Sequence, residues 1–204
     1  MKKTIAIILL VCLTVGMAFA AKSSFKFGLQ AGYTSSIISM KVGDEDSHFD
    51  LYGFYVAATG ELPISDKVSI KAEFGAEFLK EDLTIGPVSF KDFSDPAVHL
   101  TAFIGPDFCF ELSKNFCLDT AIGINILSGR EDKDSEKTYN FALGIVAEVT
   151  AFFEIATDFE IGVGGKFAWH FVNTSKYYKD LEEDEISNLT NIAFQINGAV
   201  RYSF

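Results

Sequence analysis

The chain has 204 residues, 49% hydrophobic and 14% aromatic, with only 4 prolines and a mean hydropathy of +0.22. That is too apolar for a disordered chain, and 28 acidic groups against 17 basic ones argue against nucleic acid as a partner. A single domain is expected, because barrels and sandwiches reach this length undivided.

The first 20 residues carry Lys2 and Lys3, an apolar run from Ile5 to Met17, and then Ala18-Phe19-Ala20. This is the pattern of a secretory signal peptide cleaved after Ala20 or Ala21. The run is shorter than the roughly 20 residues of a spanning helix. Cys12 lies inside it without the small residues that lead up to a lipoprotein cysteine. Loss of Lys2 and Lys3 moves the formal charge from −11 to −13, so the exported part, residues 21–204, should have little affinity for anionic partners.

The exported part shows period two instead of long apolar runs. Phe25, Phe27, Leu29, Ala31 and Tyr33 oppose Lys26, Gly28, Gln30, Gly32 and Thr34. Residues 51–61 follow and are ambiguous in register: Tyr52, Phe54 and Val56 look like the apolar face, but Tyr55 would then point at the polar side. Val68, Ile70, Ala72, Phe74, Ala76 and Phe78 then oppose Ser69, Lys71, Glu73, Gly75 and Glu77. Val98, Leu100, Ala102, Ile104, Phe108 and Phe110 oppose His99, Thr101, Gly105, Asp107 and Glu111. Phe116, Leu118, Ile122, Ile124 and Ile126 oppose Asp119, Gly123 and Asn125. Phe141, Leu143, Ile145, Ala147, Val149, Ala151 and Phe153 oppose Gly144, Glu148, Thr150 and Glu154. Ile161, Val163, Phe167, Trp169 and Phe171 oppose Glu160, Gly162, Gly164, Lys166 and His170. Finally Ile192, Phe194, Ile196, Val200, Tyr202 and Phe204 oppose Ala193, Gln195, Asn197, Ala199, Arg201 and Ser203. Alternation of this kind marks strands lying between two different solvents, and the count is eight.

The connections alternate too. Short ones, at 63–67, 113–115 and 156–158, separate long polar ones at 35–50, 80–96, 128–139 and 172–190. In an antiparallel array the short turns then share one end and the long loops the other, as in an outer-membrane barrel. A soluble lipocalin-like carrier has the opposite polarity, with an apolar cavity inside. The bulky face here is uncharged, while the small face carries the charges, and an eight-stranded barrel has room inside only for side chains. The expectation is therefore an all-β fold: an eight-stranded antiparallel up-and-down transmembrane β-barrel, following a cleaved signal peptide. Tyr33, Phe78, Phe108, Phe110, Phe153, Phe159, Trp169, Phe171 and Tyr202 should form the interfacial girdles. Pro106 lies within a strand, where its missing N–H predicts a bulge helped by Gly105.

With its export signal, eight alternating strands, four long loops and closing Tyr202-Ser203-Phe204, the chain resembles the small outer-membrane barrels of the OmpX and OmpA-transmembrane type. The resemblance covers the whole exported part. It implies a monomer in outer-membrane lipid, and it implies that the terminal aromatic strand, at Ile196, Val200, Tyr202 and Phe204, is the assembly signal read by the barrel-insertion machinery. Fold alone does not carry function.

The inward faces collect Lys26, Lys71, Lys166 and Arg201 with Glu73, Glu77, Asp107, Glu111, Asp119, Glu148, Glu154 and Glu160. This reads as a salt-bridge network that fills the lumen rather than as a cation path. Lipid A deacylases of this size use a His-x-Ser-Asn run, but His170-Phe171-Val172-Asn173 has Val172 in place of the hydroxyl. No catalytic residue and no cofactor are assigned. His48 falls in a loop and His99 faces the lumen. Cys109 and Cys117 flank the turn at Ser113 on the inward face, near enough in register for a disulfide in an oxidising compartment. Two thiols without an adjacent histidine argue against zinc. Asp44, Glu45, Asp46 and the run from Asp180 to Glu185 lack EF-hand spacing and read as solvated loop charge. The expected role is recognition of an extracellular ligand, adhesion or envelope integrity through the loops, with an OmpW-like narrow transporter of apolar solutes as the alternative.

Overall fold

The computed structural model describes residues 25–42, 45–85, 88–90, 97–133, 136–179, 182–187 and 190–204, so the signal segment lies outside the described residues. The strands are β1 Lys26–Val42, β2 Glu45–Ser65, β3 Val68–Ile85, β4 Val88–Phe90, β5 Ala97–Ser113, β6 Phe116–Lys133, β7 Glu136–Ala156, β8 Phe159–Lys179, β9 Glu182–Ser187 and β10 Thr190–Ser203. Each long strand pairs antiparallel with its neighbour in sequence. β10 closes the wall by pairing with both β8 and β1, from Lys26↔Ser203 to Ser39↔Thr190. No helix occurs among the described residues, and the eight-stranded antiparallel barrel stands as expected.

Exposure settles which face looks outward. Ile196 is 73% exposed and Val163 68%, whereas Arg201 is 2% exposed. Phenylalanines and isoleucines cover the outside, and charges are enclosed. A soluble protein rarely exposes an apolar surface of this extent. In hydrocarbon it is the stable arrangement, because a closed sheet satisfies its backbone groups internally. The outer aromatics lie where the sequence places them, with Phe159 half-buried. Trp169 and Phe171 stack edge to face with centroids 6.1 Å apart, and Tyr202 and Phe204 do so at 4.9 Å.

The uncertain register of residues 51–61 is resolved. Phe54 and Val56 are exposed while Tyr55 is buried, so Tyr55, Thr59 and Glu61 all enter the lumen.

The long connections differ from expectation. Residues 35–42 pair with 45–52, and residues 128–133 pair with 136–141, so the polar stretches read as loops are two-stranded ribbons continuous with the wall. β4 and β9 pair with the outer parts of β3 and β8 in the same way. Strands of 17 to 21 residues exceed the roughly 9–11 that cross a bilayer. Their outer parts therefore extend past the membrane-spanning length, where no lipid enforces alternation.

All three short hairpins are built alike. Each is a two-residue turn preceded by one bulged residue, with register shifts at Pro63/Ser65, Glu111/Ser113 and Glu154/Ala156. The extra residues, Ile64, Leu112 and Ile155, are all exposed apolar side chains at the turn end. Asp158 takes a φ of 63°, a conformation aspartate tolerates in turns.

The bulge predicted at Pro106 is absent. β5 and β6 keep one register from Ile104↔Ile124 to Asp107↔Ala121, and the two intervening pairs are simply open. Cys109 N donates to Lys67 O, in the turn just before β3, at 3.0 Å, so Pro106, three residues away, turns its missing donor toward β6. Gly105 and Gly123 face each other there at such close approach that a Cβ on either would collide with the carbonyl of Ile122 or Ile104. Gly123→Ala should therefore cost about 1–3 kcal/mol through overpacking, read as a lowered urea midpoint of the lipid-reconstituted barrel.

Candidate functional site: the lumen

Three layers fill the interior. In the middle, Glu148 Oε1 accepts from Lys71 Nζ at 2.8 Å, Gln30 Nε2 at 2.9 Å and Thr150 Oγ1 at 3.0 Å, which joins β1, β3 and β7 across the lumen. Lys166 Nζ donates to Tyr55 Oη at 2.6 Å and to Glu73, and Tyr55 donates to Glu73 as well. Lys166 also lies 3.9 Å from Glu148 Oε2, so two lysines and two glutamates form one balanced cluster.

Toward the turn end, Arg201 gathers acids from three strands. Its Nη1 donates to both oxygens of Glu61, at 3.1 and 3.0 Å, and to Asp119, while its Nε donates to Glu160 at 2.7 Å. The guanidinium lies 3.8 Å from the centroid of the Phe152 ring, a cation–π contact inside the wall. Lys26 stands 3.9 Å from Glu160, and Asp107 accepts from Ser69 at 3.2 Å.

Toward the ribbon end, Glu77 accepts from Gln195 at 2.6 Å and Thr34 at 3.5 Å. His170 Nε2 meets Asn125 Oδ1 at 2.9 Å. Phe103, Ala121, Val146, Ala168 and Ala193 pack into an apolar cluster. One enclosed space in this layer, lined by Glu73, Glu77, Asn125, Lys166 and His170 among others, has a volume of about 20 Å³. That is room for a single water molecule.

The structure thus gathers ten of the twelve charged residues expected in the lumen: Lys26, Lys71, Glu73, Glu77, Asp107, Asp119, Glu148, Glu160, Lys166 and Arg201. Glu111 and Glu154 need correction. Glu111 is exposed and Glu154 half-buried at the turn-end rim, where the bulges end the wall, and neither joins an ion pair among the described residues. Glu61 was missed, and only the inward position of Tyr55, six residues before it, pointed to it. The interior also holds bulky apolar side chains, Phe103, Phe152, Leu127 and Val146, where small and polar ones were expected.

The expected disulfide is not formed, since Cys109 and Cys117 are free thiols. They are diagonal across the ladder, Cys109 opposite Asp119 and Cys117 opposite Glu111. Directly opposed residues are the better-placed pair for such a bond. Beyond His170, the β7–β8 register shifts at Leu143/Gly144, so Phe171 and Val172 both point outward and Asn173 returns inside. His48 lies on β2, 3.6 Å from Asp50. Asp44 and Asp180 lie outside the described residues, as do the side chains of Glu45, Asp46, Ser175 and the acids at 182–185.

No protein-family model and no curated protein sequence matches the chain. Solved structures do. The outer membrane protein OprG from Pseudomonas aeruginosa aligns with a TM-score of 0.63 at 11% identity, over 89% of this chain and 96% of that one. Neisserial surface protein A gives 0.58 at 9%, over 87% and 97%. A major outer membrane protein from Thermus thermophilus gives 0.56 at 14%, over 89% and 100%. At such identities the likeness is one of fold, and it agrees with what the exposed apolar wall requires. The chain has the fold of the small outer-membrane β-barrels.

Proposed function

We propose that this protein is a non-conducting, non-catalytic barrel of the bacterial outer membrane whose ribbon end carries recognition, adhesion or an envelope-integrity role. The observation that supports it is the lumen, crossed at mid-height by the Lys71–Glu148 and Lys166–Glu73 pairs, with a neighbouring space large enough for only one water. Nothing of solute size has a route through such a wall-to-wall network. The ribbons, by contrast, lift polar sequence well beyond the bilayer on a rigid base. In this reading β10, with Tyr202 and Phe204, is what the insertion machinery engages, and the barrel sits in outer-membrane lipid as a monomer.

An enzyme would need a nucleophile beside a base. His170 instead meets an amide, and Val172 faces outward. Lipid A from cells expressing the chain should therefore keep its acylation pattern by mass spectrometry. The transporter alternative needs an apolar pocket leading inward. An apolar groove does lie on the outer wall, lined by Leu29, Ala31, Val56, Phe74 and Val200. Gln30, which also lines it, is however tied to Glu148. Purified barrel in planar bilayers should show no steady large conductance and should take up no fluorescent fatty acid into its lumen. Stable open pores would overturn the reading.

A further inference from the structure

Below the central pairs, side chains that the sequence separates come together. The sulfurs of Cys109 and Cys117 and a carboxylate oxygen of Asp119 lie within 4.8 Å of one another, and so do carboxylate oxygens of Asp119, Asp107 and Glu61. Asp119 is shared by the two groups. Asp107 and Asp119 are 3% and 4% exposed, yet the Oδ1 atom of each has no hydrogen-bond partner. A buried carboxylate oxygen without a donor is costly unless something else meets it. The charge here has a sign as well: among the described residues Glu61, Asp119 and Glu160 pair with Arg201 and Lys26, while Asp107 has Ser69 as its donor and shares Lys71 with Glu148, a surplus of negative charge that attracts a cation.

We propose that Cys109, Cys117 and Asp119, with Asp107 as fourth ligand, bind one thiophilic divalent cation of the zinc class at the turn end of the lumen. Two sulfurs and an Asp119 oxygen supply three ligands of a tetrahedral ion, with bonds of about 2.3 Å to sulfur and about 2.0–2.2 Å to oxygen, and Asp107, which approaches the same Asp119 carboxylate, would supply the fourth. Magnesium and calcium take oxygen ligands and have no use for the thiols. Binding forms two metal–sulfur bonds and releases both thiol protons to water, with no change of oxidation state. Arg201 Nη2 lies 3.6 Å from Cys117 Sγ and stabilises the thiolate. Cys109 is half-buried and gives access from the turn end.

The test is titration of the full folded barrel, in detergent with a non-thiol reductant, with Cd2+ and separately with Co2+. A thiolate-to-metal charge-transfer band saturating at one ion per barrel is expected, and Cys117→Ser should abolish it. Asp119→Asn should weaken Cd2+ binding by more than about tenfold, the loss that follows even from removing an outer-shell partner. If that variant does not fold by heat-modifiable gel migration, Asp107→Asn carries the same test. Absence of the band, or unchanged affinity in the carboxylate variants, overturns the proposal. Barrel taken directly from outer membranes separates the remaining case. Thiols that a chelator alone makes reactive to alkylation support the metal, whereas thiols freed only by reductant are consumed in a disulfide and overturn it.

Discussion

Replacing Arg201 with methionine should destabilise the barrel by about 3–5 kcal/mol, the cost of removing one partner from a buried ionic cluster. The guanidinium donates to Glu61, Asp119 and Glu160, which come from β2, β6 and β8, and it is 2% exposed. Methionine fills similar volume and leaves three carboxylates facing one another with only Lys26 nearby. Arg201→Lys should recover part of the loss, because one ammonium cannot reproduce a planar fork that serves three acids at once. Reversible urea unfolding in lipid vesicles, followed by tryptophan fluorescence from Trp169, gives the difference directly. A Met variant as stable as the parent would mean that the acids are already neutralised by other means.

On the opposite face, Val163→Arg should cost about 2–4 kcal/mol, the range for a cation at the bilayer midplane on a barrel's outer wall. Val163 pairs with Ala151 and Gly198, four residues into β8 from the turn and so near the middle of the roughly 9–11 residues that cross a bilayer, and is among the most exposed residues. The same arginine at Ile64, which projects from the first turn, should cost about 0–1 kcal/mol, because the penalty falls toward the interfaces. Equal costs at the two positions would mean that the apolar band does not sit in hydrocarbon. The measurement is the same unfolding titration, so the depth dependence and the Arg201 result can be set on one scale.

The wall was legible in the sequence because a membrane imposes period two wherever one face meets lipid and the other a packed interior. Ile192 to Tyr202 on β10 show it without a break. Legibility failed where that condition lapses. The ribbons within 35–50 and 128–139 extend past the length that spans a bilayer, so no lipid-facing alternation marks them and their polar runs look like loops although the described residues pair as strands. Glu61 was hidden because Tyr55, on the same face, looks by composition like a lipid-facing residue. Glu111 and Glu154 have the right parity but lie where bulges and turns end the wall. Phe103 and Phe152 sit beside outward Ile104 and Phe153, and in such apolar doublets parity alone tells inside from outside. The meeting of Glu61 with Asp107 and Asp119 was beyond reach for a different reason. It depends on the stagger of strands around the cylinder, which spacing along the chain does not record.

The ribbons have one more consequence. Where β1 pairs with β2 as far out as Val42↔Glu45, and β6 with β7 as far out as Lys133↔Glu136, the backbone of these outer ends is held by ladder hydrogen bonds continuous with the wall. A partner gripping such a tip would have little chain entropy to quench, so even a modest contact area could hold it, and a slack loop of equal length could not match that grip.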